Sequence, residues 1–202
     1  MTNPDYTHLT LVVDRSGSME SVANEAQAGI NSLIAEQFAM DGKLTITLAK
    51  FDNEFETVER MSAKPFTFTL RPRGMTALLD AVGMEVTRTG KDLAGLADSE
   101  RPGRVLLVVV TDGHENSSHE YSLEQVRSML AIQKEHFNWE VQFLGADEAA
   151  WQGAELGVAT TRYANTRSGN VAVFASMSES MTTYRAAPSA EGFSMPEEIT
   201  TG

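Results

Sequence analysis

The stretch LTLVVDRSGSM, residues 9–19, runs through apolar residues to Asp14 and then supplies Ser16 and Ser18. A continuously apolar run of this kind predicts a strand covered on both faces, here residues 8–14. The turn after it carries one carboxylate and two hydroxyls, hard oxygen donors of the sort that suit Mg²⁺ or Mn²⁺. On average residue usage, D-x-S-x-S turns up by accident in roughly one chain of this size in twenty, so it needs company. A second apolar run, VLLVVVTDG at 105–113, ends in the same way on Asp112, and Thr76 stands at the mouth of a predicted helix in RGMTALLDAV, residues 73–82.

Outward from these segments, strands and helices alternate. Met19, Val22, Ala26, Ile30, Leu33 and Phe38 recur at helical spacing over 19–39. KLTITLAKF at 43–51 alternates as a strand, and FETVERM near 55–61 follows after a turn too short for a parallel crossover, which predicts an antiparallel hairpin. Residues 62–75 read as an irregular connection, followed by a helix from Thr76 with Leu79, Val82 and Val86 inward and a looser link over 91–103. The strand 104–111 is the most apolar run, the natural centre of a sheet. Ser122 with Gln125 forms a capping box for a helix whose stripe is Leu123, Val126, Leu130 and Phe137. A fifth strand at 139–146, a short helix at 148–156 ending on Gly157, a sixth strand in ATTRYA and a last helix over 169–184, with Phe174, Met177, Met181 and Tyr184 inward, complete the pattern.

This alternation predicts an α/β architecture: a Rossmann-like, doubly wound, mainly parallel six-stranded sheet with one antiparallel edge strand and helices on both faces. Residues 1–186 are expected to form one domain, and 187–202, poor in anything to bury, a flexible tail. Ligands in such sheets sit beyond the carboxyl ends of the strands, where the strand order reverses. If the first strand and 104–111 are the neighbours at that point, Asp14 and Asp112 emerge side by side and Thr76 opens the intervening helix on the same edge. Taken singly, Ser16, Ser18 and Thr76 read as helix caps and Asp112-Gly113 as a turn. Their joint placement is what argues for a metal.

Composition narrows the function. The chain has 202 residues and a net charge of −12, with its basic residues scattered and only Arg71 and Arg73 close together. That sign repels a phosphate backbone, which argues against nucleic-acid binding. No stretch reaches the length of apolar sequence a membrane helix needs, and the start carries no charged and apolar leader pattern. The expectation is a cytoplasmic protein without membrane contact. Zero cysteines exclude disulfides, thiol catalysis and a thiolate zinc site.

With D14-R-S16-G-S18, Thr76 after Gly74-Met75, and Asp112 in TDG in place, residues 7–185 resemble the von Willebrand factor A domain, also found as the integrin I domain. The resemblance rests on the three segments of that family's metal-ion-dependent adhesion site. It implies that Asp14, Ser16, Ser18, Thr76 and Asp112 hold Mg²⁺ or Mn²⁺, directly or through water. The last position is left for a Glu or Asp of a protein partner. Met75, where many members carry Gly, is a small departure. The compact form resembles the stand-alone A-domain proteins of bacteria and phages, which implies a non-enzymatic role in a complex, such as one beside an AAA+ ATPase or in a stress- or phage-related system.

An alternative is a metal-dependent phosphohydrolase of haloacid-dehalogenase-like type with Asp14 as nucleophile. That chemistry wants a second carboxylate two residues on, where this chain has Ser16, and a cation for the phosphoryl group, for which only Arg15 and Arg73 are near in sequence. His114, Glu115 and His119 lack the i, i+4 spacing of a helical zinc pair and read, with Asn116, as loop residues shaping partner contacts. Asp80 reads as a solvated or supporting carboxylate, or as purely structural. Trp139 and Trp151 read as packing anchors, the methionines as core, and no nucleotide-binding glycine loop is present.

Overall fold

The structure, a computed structural model, describes residues 2–187 and 192–200. Its strands are β1 (Asn3–Asp14), β2 (Lys43–Phe51), β3 (Phe55–Ser62), β4 (Pro102–Thr111), β5 (Trp139–Ala146), β6 (Ala159–Tyr163) and β7 (Glu198–Ile199). Its helices are α1 (Ala23–Ala39), α2 (Leu78–Ala94), α3 (Leu123–Phe137), α4 (Trp151–Leu156) and α5 (Arg167–Ala186). The sheet order is β3-β2-β1-β4-β5-β6-β7, parallel throughout except for the β2–β3 hairpin. Strand order reverses between β1 and β4, so the ends of those two strands flank the switch point.

Two apolar layers explain why β1 and β4 read as unbroken apolar runs. Leu9, Leu11 and Val13 of β1 join Leu106, Val108 and Val110 of β4 under α1 and α5, while Val12, Leu107 and Val109 face α2 and α3. The inward residues expected of α5, Phe174, Met177, Met181 and Tyr184, are all buried. At about 1.5–3 kcal/mol for each large side chain removed from water, these two layers are what hold the strand ends in place.

Several expectations are corrected. The sheet has seven strands instead of six. Residues 192–200 are not a free tail: Phe193 packs edge-on against Tyr184 with ring centroids 5.7 Å apart, and Ile199 pairs with Tyr163. The physical reason is that β6 would otherwise present an unpaired edge. The expectation for 188–191 and 201–202 lies outside the described residues. α2 runs on to Ala94, absorbing the start of the expected link, and it begins at Leu78, two residues after Thr76. A 3-10 turn at Gly17–Ser21 precedes α1. Helix α3 has its capping box on Ser122 and Gln125, but buries only Val126 and Leu130, leaving Leu123 and Phe137 exposed.

Candidate metal centre

The first loop leaves β1 at Asp14, the last residue before the chain turns. Asp14 Oδ1 accepts the Ser16 amide N–H at 2.6 Å and Oδ2 accepts the Thr111 hydroxyl from β4 at 2.6 Å. Ser16 Oγ lies 2.9 Å from Ser18 Oγ, and the Ser18 hydroxyl donates to Asp112 Oδ1 at 2.5 Å. The other oxygen of Asp112 accepts Asn165 Nδ2 at 3.1 Å. Four of the five oxygen-bearing residues thus form one chain of contacts across the β1–β4 switch point.

Thr76 joins them from the third loop. A Cβ placed on Gly113 would lie 2.7 Å from Thr76 Oγ1, 3.2 Å from Asp14 Oδ2 and 3.3 Å from Ser16 Oγ. Three oxygens from two loops therefore surround one point on the third, which stays open because residue 113 has no side chain. Gly74, at φ +71°, turns the chain ahead of Thr76 in a conformation that favours glycine.

The capping alternative does not describe these hydroxyls. Ser16 precedes the 3-10 turn without a side-chain capping bond, and Thr76 is not the cap of α2. The first amides of α2 are satisfied from across the loop instead: Leu79 N–H donates to Glu115 Oε2 at 2.9 Å and Asp80 N–H to Ser118 Oγ at 3.0 Å. The Thr76 hydroxyl is left for the cluster.

Supporting side chains fasten the three loops together. Asn116 Oδ1 accepts the Thr76 amide at 3.0 Å while its own N–H donates to the Thr76 carbonyl. Gln152 donates to the Gly113 carbonyl and accepts the Glu115 amide. Asp80 accepts the amides of His119, Glu120 and Tyr121, the structural member of its earlier readings. Buried Asp52 pairs with Arg15 at 3.0 Å and Arg73 at 2.7 Å, tying the first loop to the segment before Thr76. Sequence reasoning placed Glu115 and Asn116 near the edge as partner contacts; they are loop fasteners. Thr111, Gln152 and Asn165 were missed, and only Thr111, next to Asp112, carries a local signal.

The electrostatics favour a cation. Burial, against the hydrogen bonds of Thr111 and Ser16, pushes the Asp14 carboxyl up to about 6, and burial raises Asp112 as well. Arg15 is the nearest arginine in sequence, but its guanidinium turns to Asp52 and Glu56. Buried Tyr163 has a hydroxyl without a protein partner, in the field of Asp112, Asp14 and Asp147. Two carboxylates with three neutral hydroxyls form a hard donor set. The 2.9 Å Ser16–Ser18 separation matches the edge of an octahedron with metal–oxygen bonds of about 2.0–2.1 Å. Among the described residues no group of three or more His, Cys, Asp or Glu is gathered as a metal site, here or elsewhere; hydroxyls make up the rest of this donor set. The residues present therefore fit a divalent cation that takes hard oxygen donors.

No family model matches the chain, and no curated protein matches it. Solved structures do. Proximal thread matrix protein 1 of the mussel byssus, with a zinc-occupied MIDAS motif, superposes with a TM-score of 0.64 at 12% identity over 89% of this chain and 48% of that one. A von Willebrand factor type A protein from Catenulispora acidiphila gives 0.56 at 14% identity over 86% of this chain and 42% of that one.

The fold is that of a von Willebrand factor A domain.

BatB from Bacteroides thetaiotaomicron, a third match, has a TM-score of 0.55 at 15% identity and is covered over 98% of its length by 86% of this chain. The chain thus spans less than half of the first two A-domain structures and nearly all of the third. At these identities the likeness concerns the A-domain fold. Around the cluster the A-domain edge here carries two large exposed side chains, Met75 at 52% and Trp151 at 50%. Trp151, expected as a packing anchor, instead stands edge-on to His114 with ring centroids 6.0 Å apart. Trp139 is buried, as an anchor should be.

Proposed function

We propose that this chain is a divalent-cation-dependent protein-binding module that captures a Glu or Asp of a partner. Asp14, Ser16, Ser18, Thr76 and Asp112 would hold Mg²⁺ or Mn²⁺, and the bound ion would supply a Lewis-acid position for an external carboxylate. The observation that carries this reading is the convergence of Thr76 Oγ1, Asp14 Oδ2 and Ser16 Oγ around one open point beside Gly113. Three neutral hydroxyls with only two carboxylates leave a bound ion electrophilic, which favours an incoming anion.

Binding is favoured over phosphoryl transfer by what surrounds Asp14. Ser16 stands where a second carboxylate would be needed and its hydroxyl meets Ser18, while Arg15 and Arg73 are both committed to Asp52. The wider setting we propose is cytoplasmic, in a bacterial or phage complex such as one with an AAA+ ATPase. It is supported by the resemblance alone. Among the described residues no helix is long and apolar enough to cross a membrane.

The test is a calorimetric titration of EDTA-stripped protein with Mg²⁺, Mn²⁺ and Zn²⁺, beside Asp14→Ala and Thr76→Ala. One-site binding that both substitutions abolish, with circular dichroism unchanged, is the expected result. Binding that survives both, or none even with acetate added, would remove the metal from the account. A metal-dependent pull-down with blocked acidic peptides then tests the partner carboxylate.

A further inference from the structure

A groove of about 590 Å³ opens at the far end of the sheet from the oxygen cluster, between the carboxyl-terminal halves of α2 and α3, with Val105 and Trp139 at its floor. Small-molecule sites occupy about 300–1,000 Å³ and are mostly apolar with a few placed polar groups. This groove has that make-up. Val86 and Leu93 of α2 and Met129 of α3 form its walls, and Ile132 and Phe137 stand at its rim, 46% and 61% exposed. An amphipathic helix would ordinarily turn such residues inward, and here they extend the apolar wall outward.

The polar part of the lining has one sign. Lys91, Arg101 and His136 are its basic residues, and among the described residues no Asp or Glu lines it, although the chain has 28 acidic residues against 16 lysines and arginines. Arg101 is already in use. It donates to the carbonyls of Leu93, Ala94 and Leu96 and pairs with Asp98 at 2.9 Å. This caps the carboxyl end of α2 and offsets the negative end of its dipole, which would otherwise repel an anion from the groove. Asp92, the neighbour of Lys91, is drawn away to Arg60 at 2.6 Å. Lys91 and His136 remain as the uncommitted basic side chains of the groove among the described residues.

We propose that this groove binds an amphipathic organic anion, an aliphatic chain ending in a carboxylate. The chain lies along Val86, Leu93, Met129 and Ile132, and the carboxylate lies at the Lys91 and His136 rim. The site is independent of the metal cluster, at the opposite ends of the same strands.

Calorimetric titration of the full chain with decanoate below its micellar range, beside decyltrimethylammonium with the same chain and the opposite charge, tests it. Trp139 forms part of the floor, so in a Trp151→Phe background its emission reports the groove alone. The expected result is one decanoate per chain with a change in Trp139 emission, and at least tenfold weaker binding of the cationic counterpart. Lys91→Glu should weaken decanoate about tenfold, and Ile132→Asp should weaken both ligands; both positions are exposed, and melting curves check that the fold is kept. Equal binding of the two headgroups, decanoate affinity unchanged in Lys91→Glu, or no saturable binding would each overturn the proposal.

Discussion

Gly113→Ala tests the convergence of the three loops without removing a single oxygen. The added methyl would sit 2.7 Å from Thr76 Oγ1, where ordinary contact begins at 3.4 Å. Something must therefore retreat by about 0.7 Å, while metal–ligand distances tolerate departures of about 0.2 Å. The methyl would also lie 3.2 Å from Asp14 Oδ2 and 3.3 Å from Ser16 Oγ, filling the space those oxygens share. Affinity for Mn²⁺ is expected to fall at least a hundredfold, a loss of about 2.7 kcal/mol, with an overpacking cost to the fold of about 1–3 kcal/mol. Gly90→Ala is the control, because a Cβ there meets nothing within 4 Å. It should raise helix stability by about 1 kcal/mol and leave metal binding unchanged. Isothermal titration gives the affinities and urea unfolding the stabilities. Parent-like Mn²⁺ affinity in Gly113→Ala, alongside its loss in Asp14→Ala, would show that the ion depends on Asp14 but does not sit at the point beside Gly113 that Thr76 and Ser16 share.

Asn116→Ala removes the acceptor for the Thr76 amide and should weaken Mn²⁺ by about 10–100-fold, as loss of a supporting residue does; the same titration reads it. Phe193→Ala deletes a buried ring packed on Tyr184 and should cost about 3–5 kcal/mol in urea unfolding, whereas a free tail would show no change. His8 is fully buried in β1, with Nδ1 against Thr45 and Nε2 against Thr10. Burial, with the charge of Arg60, lowers its pKa from 6.5 to about 3. The unfolded chain therefore takes up this proton first, and the stability it reflects is fully present above 6.5 and is lost as pH falls from there toward 3. The slope is at most about 1.4 kcal/mol per pH unit. Urea midpoints of the parent and His8→Gln between pH 7.5 and 4.5 should converge on acidification, and parallel curves would refute this.

Much of the fold was legible because its signals are short-range. The hairpin followed from a turn too short to cross over, the α3 start from Ser122 and Gln125, and the α4 stop from Gly157, each a matter of a few neighbouring residues. The candidate oxygen donors were legible for a related reason: each ends an apolar strand or precedes an amphipathic helix, and strand-order reversal in an alternating sheet gathers such ends. Trp151, Phe137 and residues 192–200 were misread. Hydrophobicity says that a residue gains by burial, but not whether any surface is left to cover it.

From the sequence alone came the alternation of strands and helices, the central place of 104–111, and the oxygen donors Asp14, Ser16, Ser18, Thr76 and Asp112. Only the tertiary structure decided that Glu115 and Ser118 cap α2 and so free the Thr76 hydroxyl, that Thr111 and Asn165 hold the two carboxylates, and that residues 198–199 close the edge of β6. Periodicity and caps act between neighbours in the chain. These contacts join residues tens of positions apart, and they exist only once the packed sheet has brought the loop ends together.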